Sequence, residues 1–329
     1  LAWTLLGCAF CFVLSPIVPN FVNPYYFSIL IYAGINITLA VSLNLVNGLT
    51  GQFSMGHAGF MAVGAYTSAY LTTNFFSQLQ IIGIPNFVSE WILFGIALYL
   101  GGLVSALLGY LVGLPSLRLR GDYLAIVTLG FGEIIRVVIL NVDAIGGARG
   151  MPGVPGWTTF GWVAMVAFLS ILTVQRLMHS AHGRRFLAIR EDEIAAEAMG
   201  VNTTKYKVLS FTIGAFFAGV AGGLFGHFLT YINPQTFDFN RSFEVIIMVV
   251  LGGMGSTSGA VFAAVFLTAL REILRPLQEI TKIDLRMVIY ASMLIVLMLT
   301  RPNGFFGSRE ITDFSIFKRF KRKSHAQSA

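Results

Sequence analysis

The residue types that perform catalysis are few in this chain, and their spacing argues against it. The lysines Lys205, Lys207, Lys282, Lys318, Lys321 and Lys323 follow Thr204, Tyr206, Thr281, Phe317, Phe320 and Arg322. A Walker A phosphate loop needs Gly directly before Lys, so the chain holds none. The histidines His57, His179, His182, His227 and His325 show no metal-ligand spacing with a carboxylate or cysteine. Cys8 and Cys11 have the C-x-x-C spacing of a redox or metal half-site, but they lie inside an apolar run without partner cysteines. A reactive thiolate needs a polar setting, so they read as small residues of a spanning helix. No Ser, His and acid order stands out. The expectation is a chain without catalytic residues, metal or cofactor.

Other residues fit movement and docking. In Gly183–Asn202, Asp192 is placed to N-cap a short helix, Glu193 suits its positive end, and Gly200 can close it. About eight residues are too few for a stable isolated helix. Ile194, Ala198 and Val201 would line one side, and Glu193 and Glu197 another. A short amphipathic helix in a charged loop suits docking; the alternative is a solvated connector. Two Gly/Ser-rich stretches, Gly48–Gly59 and Gly252–Gly259, interrupt apolar runs. Such breaks expose backbone polar groups along a transport path, which puts Gln52, Ser54, His57, Gly252, Gly255 and Ser256 forward as path residues. Close helix packing uses the same small residues, so both readings stand. Glu133 and Arg136 are three apart and can pair on one helix face, either receiving a zwitterionic solute or compensating each other against a partner subunit. Asn36 and Asn44, eight apart, share a face and either glue helices or line the path.

The elements that must position these residues follow from composition. Of 329 residues 56% are hydrophobic and 11% charged, against about 25% charged in a typical soluble domain. No charge precedes Glu90. That excludes a cytosolic enzyme, a nucleic-acid-binding domain and a disordered chain. It leaves an all-α polytopic transmembrane bundle of about 8–10 segments, some of them broken or re-entrant. Spans are expected at Ala2–Val18, Phe27–Val46, Ser54–Leu71, Trp91–Leu114, Tyr123–Leu140, Phe160–Leu177, Val208–Ile232 and Met287–Thr300. Phe243–Leu270 is too long for one span and is expected as two shorter helices meeting at the glycines. The loop His179–Lys207 carries Arg184, Arg185, Arg190, Lys205 and Lys207 and is placed in the cytoplasm. The tail Arg301–Ala329, with seven basic residues against Glu310 and Asp313, belongs on the same side. That holds only if the broken pair returns to the side where it began. Counting spans back puts the N-terminus in the cytoplasm too. The tail's Phe314, Phe317 and Phe320, interleaved with Lys318, Arg319, Lys321, Arg322 and Lys323, suit anionic lipid.

Several stretches carry a family resemblance. The loop resembles the coupling loop of ABC-importer permeases, whose core is Glu-Ala-Ala, three residues, then Gly: Ala195, Ala196 and Gly200 match, while Ile194 replaces the Glu and Glu193 stands one place early. Asn47–Tyr66, Leu114–Arg136, Val249–Gly259 and Arg301–Gly307 resemble the branched-chain amino acid permeases of the LivM type, nearly end to end. The resemblance implies one permease domain over residues 1–329, with 183–201 as cytoplasmic coupling loop and 301–329 as basic tail. It implies a multi-pass subunit of the bacterial inner membrane moving branched-chain amino acids by ATP-driven alternating access. Its partners would be a second homologous permease, two ATPase subunits that bind the ATP, a periplasmic substrate-binding protein and membrane lipid, with no nucleic acid. Arg190, Glu193, Ala195, Ala196, Glu197 and Gly200 would couple to an ATPase subunit. The alternatives are a permease for urea, short amides or another amino acid, and an ion-coupled secondary transporter working alone, for which only Glu133 and Glu244 offer acidic groups near the membrane.

Overall fold

The computed structural model describes residue 7 and residues 23–76, 86–117, 119, 121–275, 286–301 and 304–307. The expected first span, Cys8, Cys11, Arg118, Arg120 and the basic tail from residue 308 lie outside the described residues. The described residues are mostly helical: α1 (Pro24–Asn44), α2 (His57–Tyr70), α3 (Asn86–Ser116), α4 (Asp122–Leu140), α5 (Phe160–Met178), α6 (Ala181–Glu191), α7 (Glu193–Ala198), α8 (Thr203–Leu229), α9 (Phe239–Gly252), α10 (Thr257–Ile273) and α11 (Arg286–Thr300). Wider π-helical turns extend α1 through Leu45–Leu49 and α2 through Leu71–Phe75. The helices spanning Pro24–Leu49, Val88–Ser116, Tyr123–Leu140, Phe160–Met178 and Thr203–Leu229 are long and apolar enough to cross a membrane. The expected break in 243–270 is present, with α9 and α10 meeting at Gly253–Ser256.

Two expectations are corrected. The span expected to reach Ile232 ends at Leu229, because Thr230 turns left-handed at φ 58°. Tyr231–Ile232 then pairs antiparallel with Met151–Pro152. The polar loop 179–207 is itself helical, α6 and α7. Buried Gly183, Phe186 and Ile189, at three-residue spacing, give α6 an inward face.

The bundle has a loop end, where α6 and α7 lie, and a far end, where the β-pair lies. At the far end the Tyr25 hydroxyl at the start of α1 donates to Glu272 near the end of α10 at 2.9 Å. At the loop end the α9–α10 break meets the end of α1. The broken pair therefore starts and finishes at one end, as the positive-inside count required.

α8 and α1 are the central helices. Their most apolar stretches are 78% and 72% buried, against 22% for α4. What lets α8 lie so close to α2 and α3 is the absence of side chains at the crossing. A Cβ on Gly64 would fall 2.1 Å from the Gly219 carbonyl oxygen, and one on Gly222 only 1.9 Å from that of Met61. The Ser105 hydroxyl ties the three helices together, lying 3.0 Å from the Phe60 carbonyl and 2.8 Å from that of Ala215. Backbones that approach this closely gain dispersion and polar contact in lipid, where the hydrophobic effect supplies little between helices. Gly222→Ala is therefore expected to destabilise by about 1–3 kcal/mol through overpacking. Gly130→Ala, where a Cβ meets nothing within 4 Å on α4, is expected to leave thermal unfolding of the detergent-purified protein unchanged or slightly raised. Equal melting temperatures for the two variants would contradict the crossing.

Candidate functional site

The loop-end helices are built by local capping. Ser180 accepts from the backbone N–H of His182 and Gly183 and starts α6. Asp192 Oδ1 then accepts from Ile194 and Ala195 at 2.9 and 3.0 Å and starts α7. At the other end Gly200 N–H donates to the Glu197 carbonyl and Val201 N–H to that of Ala196, with Gly200 at φ +83°. The Asp192 cap and the Gly200 stop thus stand where the spacing put them. The helix between them has six residues rather than eight. Its faces also differ from the expected ones. Ala196 is buried and Val201 packs inward, while Ile194 (67% exposed), Met199 (85%), Ala195, Glu197 and Ala198 face out. Glu193 turns inward to the buried Lys207 at 2.7 Å. Removing that carboxylate would strand a buried ammonium, at a cost of about 3–5 kcal/mol.

Arg190 belongs to a different surface from the exposed residues of α7. Its Nη1 donates to the Gly48 carbonyl at 3.1 Å, and its stem lies along Gly51, where a Cβ would stand 3.2 Å from Arg190 Cγ. At Gly255, with φ +96°, a Cβ would stand 2.5 Å from the same Nη1. Gly48 and Gly255 also face one another, for a Cβ on Gly48 would fall 2.3 Å from the Gly255 nitrogen. That nitrogen donates to Asn44 Oδ1 at 2.9 Å. The two glycine breaks, some two hundred residues apart in sequence, are thus one contact, with the Arg190 guanidinium set into it.

Around that contact the other candidates separate. Asn47 spans the first break by accepting from Ser54 N–H at 3.1 Å and donating to the Ser54 carbonyl. Gln52 is 4% exposed, and neither its Nε2 nor its Oε1 has a hydrogen-bond partner. Asn44 Nδ2 likewise has none. His57 Nε2 is 2.8 Å from Ser42 Oγ. Gly252 is used in packing, since a Cβ there would fall 2.4 Å from Gly259 backbone. Ser256 caps α10 by accepting from Gly259 N–H. The 304–307 turn folds back on the second break: Phe305 and Phe306 N–H donate to the Leu251 and Gly252 carbonyls at the end of α9, groups the helix itself leaves open. Glu133 and Arg136 pair at 2.7 Å, with side chains 36% and 27% exposed, away from this contact on α4. His227 is satisfied by Thr72 and the Gly223 carbonyl.

Sequence reasoning missed Arg241. It is 7% exposed on α9, bonds Glu244 at 2.9 Å and Asn36 at 2.8 Å, and Asn36 in turn bonds Thr268. The i, i+3 spacing that drew attention to Glu133 and Arg136 is repeated at Arg241 and Glu244, so the signal was present. Asn36 and Asn44 do share a face, and both meet the broken pair α9–α10.

Residues 25–298 match the profile of a family described as the branched-chain amino acid transport system permease component. The high-affinity branched-chain amino acid transport system permease protein LivM of Salmonella typhimurium is 38% identical, over 82% of this chain and 67% of the relative. A probable LivM of Methanocaldococcus jannaschii is 29% identical over 70% and 76%. The LivH permease of Salmonella typhimurium is 25% identical over 83% and 91%. No solved structure matches.

The contact between the breaks predicts its own cost. Asn44→Ala leaves the buried Gly255 N–H without its acceptor and is expected to destabilise by about 1–3 kcal/mol. Asn141→Ala, whose exposed amide only caps α4, is the control. Thermal unfolding in detergent that fails to separate the two would remove the contact from consideration.

Proposed function

This chain belongs to the branched-chain amino acid transport permease family, and from that premise we propose that it is one membrane subunit of an ATP-driven importer of branched-chain amino acids in the bacterial inner membrane. The loop end then faces the cytoplasm and the far end the periplasm. A homologous permease of the LivH kind completes the membrane core, two ATPase subunits bind and hydrolyse the ATP, and a periplasmic binding protein delivers the amino acid.

The observation that carries this reading is the covalent and hydrogen-bonded continuity from α7 to the breaks. Ile194 and Met199 offer apolar side chains, and Glu197 a charge, on a surface held rigid by an Asp192 cap and a glycine stop. Such a surface suits a cleft of an ATPase subunit. One residue before the cap stands Glu191, and before it Arg190, whose guanidinium holds Gly48 beside Gly255. Displacement of α7 on ATP-driven closure would draw Arg190 from the Gly48 carbonyl and loosen the Asn44–Gly255 contact. Gln52 and Asn44 would then supply unmet amide groups to a passing solute. The chain's own part is mechanical: it opens and closes a path. Ion coupling is less well supported, because Glu133 and Glu244 are each compensated by an arginine.

Reconstitution with the partner permease, ATPases and binding protein tests this. Glu197→Lys combined with Gly200→Val is expected to abolish ATP-dependent leucine uptake and loosen ATPase association. Arg190→Ala is expected to leave the complex assembled and hydrolysing ATP, while uptake per ATP falls by about tenfold, within the usual range of coupling energies. Undiminished uptake in both variants would overturn the coupling assignment. Uptake abolished by an ionophore and indifferent to ATP would favour the secondary transporter.

A further inference from the structure

The far end holds a cavity of about 350 Å³ whose wall includes Tyr32, Phe225, Asp238, Arg241, Glu244 and Arg271. Its size lies at the small end of the range for ligand sites, roughly 300–1,000 Å³. Two guanidinium groups and two carboxylates share this one wall. Arg241 and Glu244 are paired at 2.9 Å, and Arg241 stacks over Phe225 at 5.7 Å. Arg241 Nε is buried and makes no hydrogen bond. Asp238 caps α9 and accepts from Asn240. Arg271 sits 5.9 Å from the centre of the Tyr32 ring and makes no ion pair among the described residues.

We propose that this cavity receives the charged head of a zwitterionic α-amino acid, with Arg271 taking the carboxylate, Glu244 and Asp238 the ammonium, and the Phe225 and Tyr32 rings the alkyl side chain. The inference rests on the import reading above and adds the place and the residues. The charges on the wall balance, so a ligand of zero net charge leaves the balance intact, whereas a simple amine or carboxylate does not. A guanidinium fork is the side chain best matched to a carboxylate. The Arg241–Glu244 pair fixes which charge lies where, and Asn36, bonded to Arg241, ties the cavity to the face of α1 that ends at Asn44 and the inner contact.

The test uses the assembled transporter carrying Thr236→Cys, an exposed position on the cavity wall, with Cys8 and Cys11 replaced by alanine. L-Leucine is expected to slow maleimide labelling of this cysteine without ATP. Isoamylamine and 4-methylpentanoate, which share the alkyl chain but lack one charge each, are expected not to. Arg271→Gln should remove the protection and lower leucine uptake at least about tenfold, equivalent to 1.4 kcal/mol, with ATPase stimulation by the loaded binding protein retained, and Arg271→Lys should restore part of both. Labelling indifferent to leucine, equal protection by the amine or the acid, or protection by empty binding protein alone would overturn the proposal. Loss of ATP-dependent leucine uptake in the wild type would instead overturn the import reading, because the labelling measurement needs no turnover.

Discussion

A helix interrupted among apolar surroundings leaves backbone N–H and C=O groups that water cannot satisfy, and each such group left open costs several kcal/mol in lipid. Here two interrupted helices satisfy one another. The Asn44 side-chain oxygen accepts from the N–H of Gly255, Arg190 donates a hydrogen bond to the Gly48 carbonyl, and the 304–307 turn supplies N–H groups to the last carbonyls of α9. The contact can form only because both breaks are glycine at the closest approach; a methyl group at Gly48 or Gly255 would overlap backbone or guanidinium. The rest of the bundle depends on this arrangement, since it sets where α1 ends, where α9 turns into α10, and where the charged loop attaches.

The same economy of side chains appears at the α2, α3 and α8 crossing, yet its consequence is different. There the glycines are within continuous helices whose backbone groups are already paired, so close approach yields packing and the Ser105 hydroxyl bonds but leaves no backbone group open. At the breaks, close approach is combined with unwound backbone and with buried amides, Gln52 and Asn44 Nδ2, that have hydrogen-bonding capacity left over. A buried polar group without a partner destabilises the fold that carries it. That cost separates the second place from the first as a candidate for function. α4 differs again: Ile126, Ile134 and Val138 are exposed along it, and the ion pair of Glu133 with Arg136 is complete within the helix.

How much of this was legible depended on the range of the interaction. Asp192 as a cap and Gly200 as a stop act over three or four residues, and both stand where their spacing indicated. The break in 243–270 was legible from length and charge side together, and the Tyr25–Glu272 bond agrees with the inferred return. α6 is not legible because its polarity outweighs a three-residue apolar rhythm, nor is the end of α8, because Thr230 carries no strong turn signal. Ile194, Ala198 and Val201 would share a face only in a longer helix; with only six residues, the chain turns at Gly200 and carries Val201 back toward the core.

Local pattern was sufficient for the membrane class, the spans at Phe27–Val46, Trp91–Leu114, Tyr123–Leu140 and Phe160–Leu177, the charged loop and the two glycine breaks, because hydropathy, capping and charge bias act between neighbours or against the solvent. Nothing local could say that the breaks touch, that Arg190 points into them rather than out with Ile194 and Met199, or that Arg241, Asn36 and Thr268 form one chain of bonds. Those depend on residues some 140 to 230 positions apart being brought to 2.8–3.1 Å of one another. Only the packing of α1 against α9 and α10 makes that choice, since a side chain's partner is set by which backbones can approach closely enough to share it.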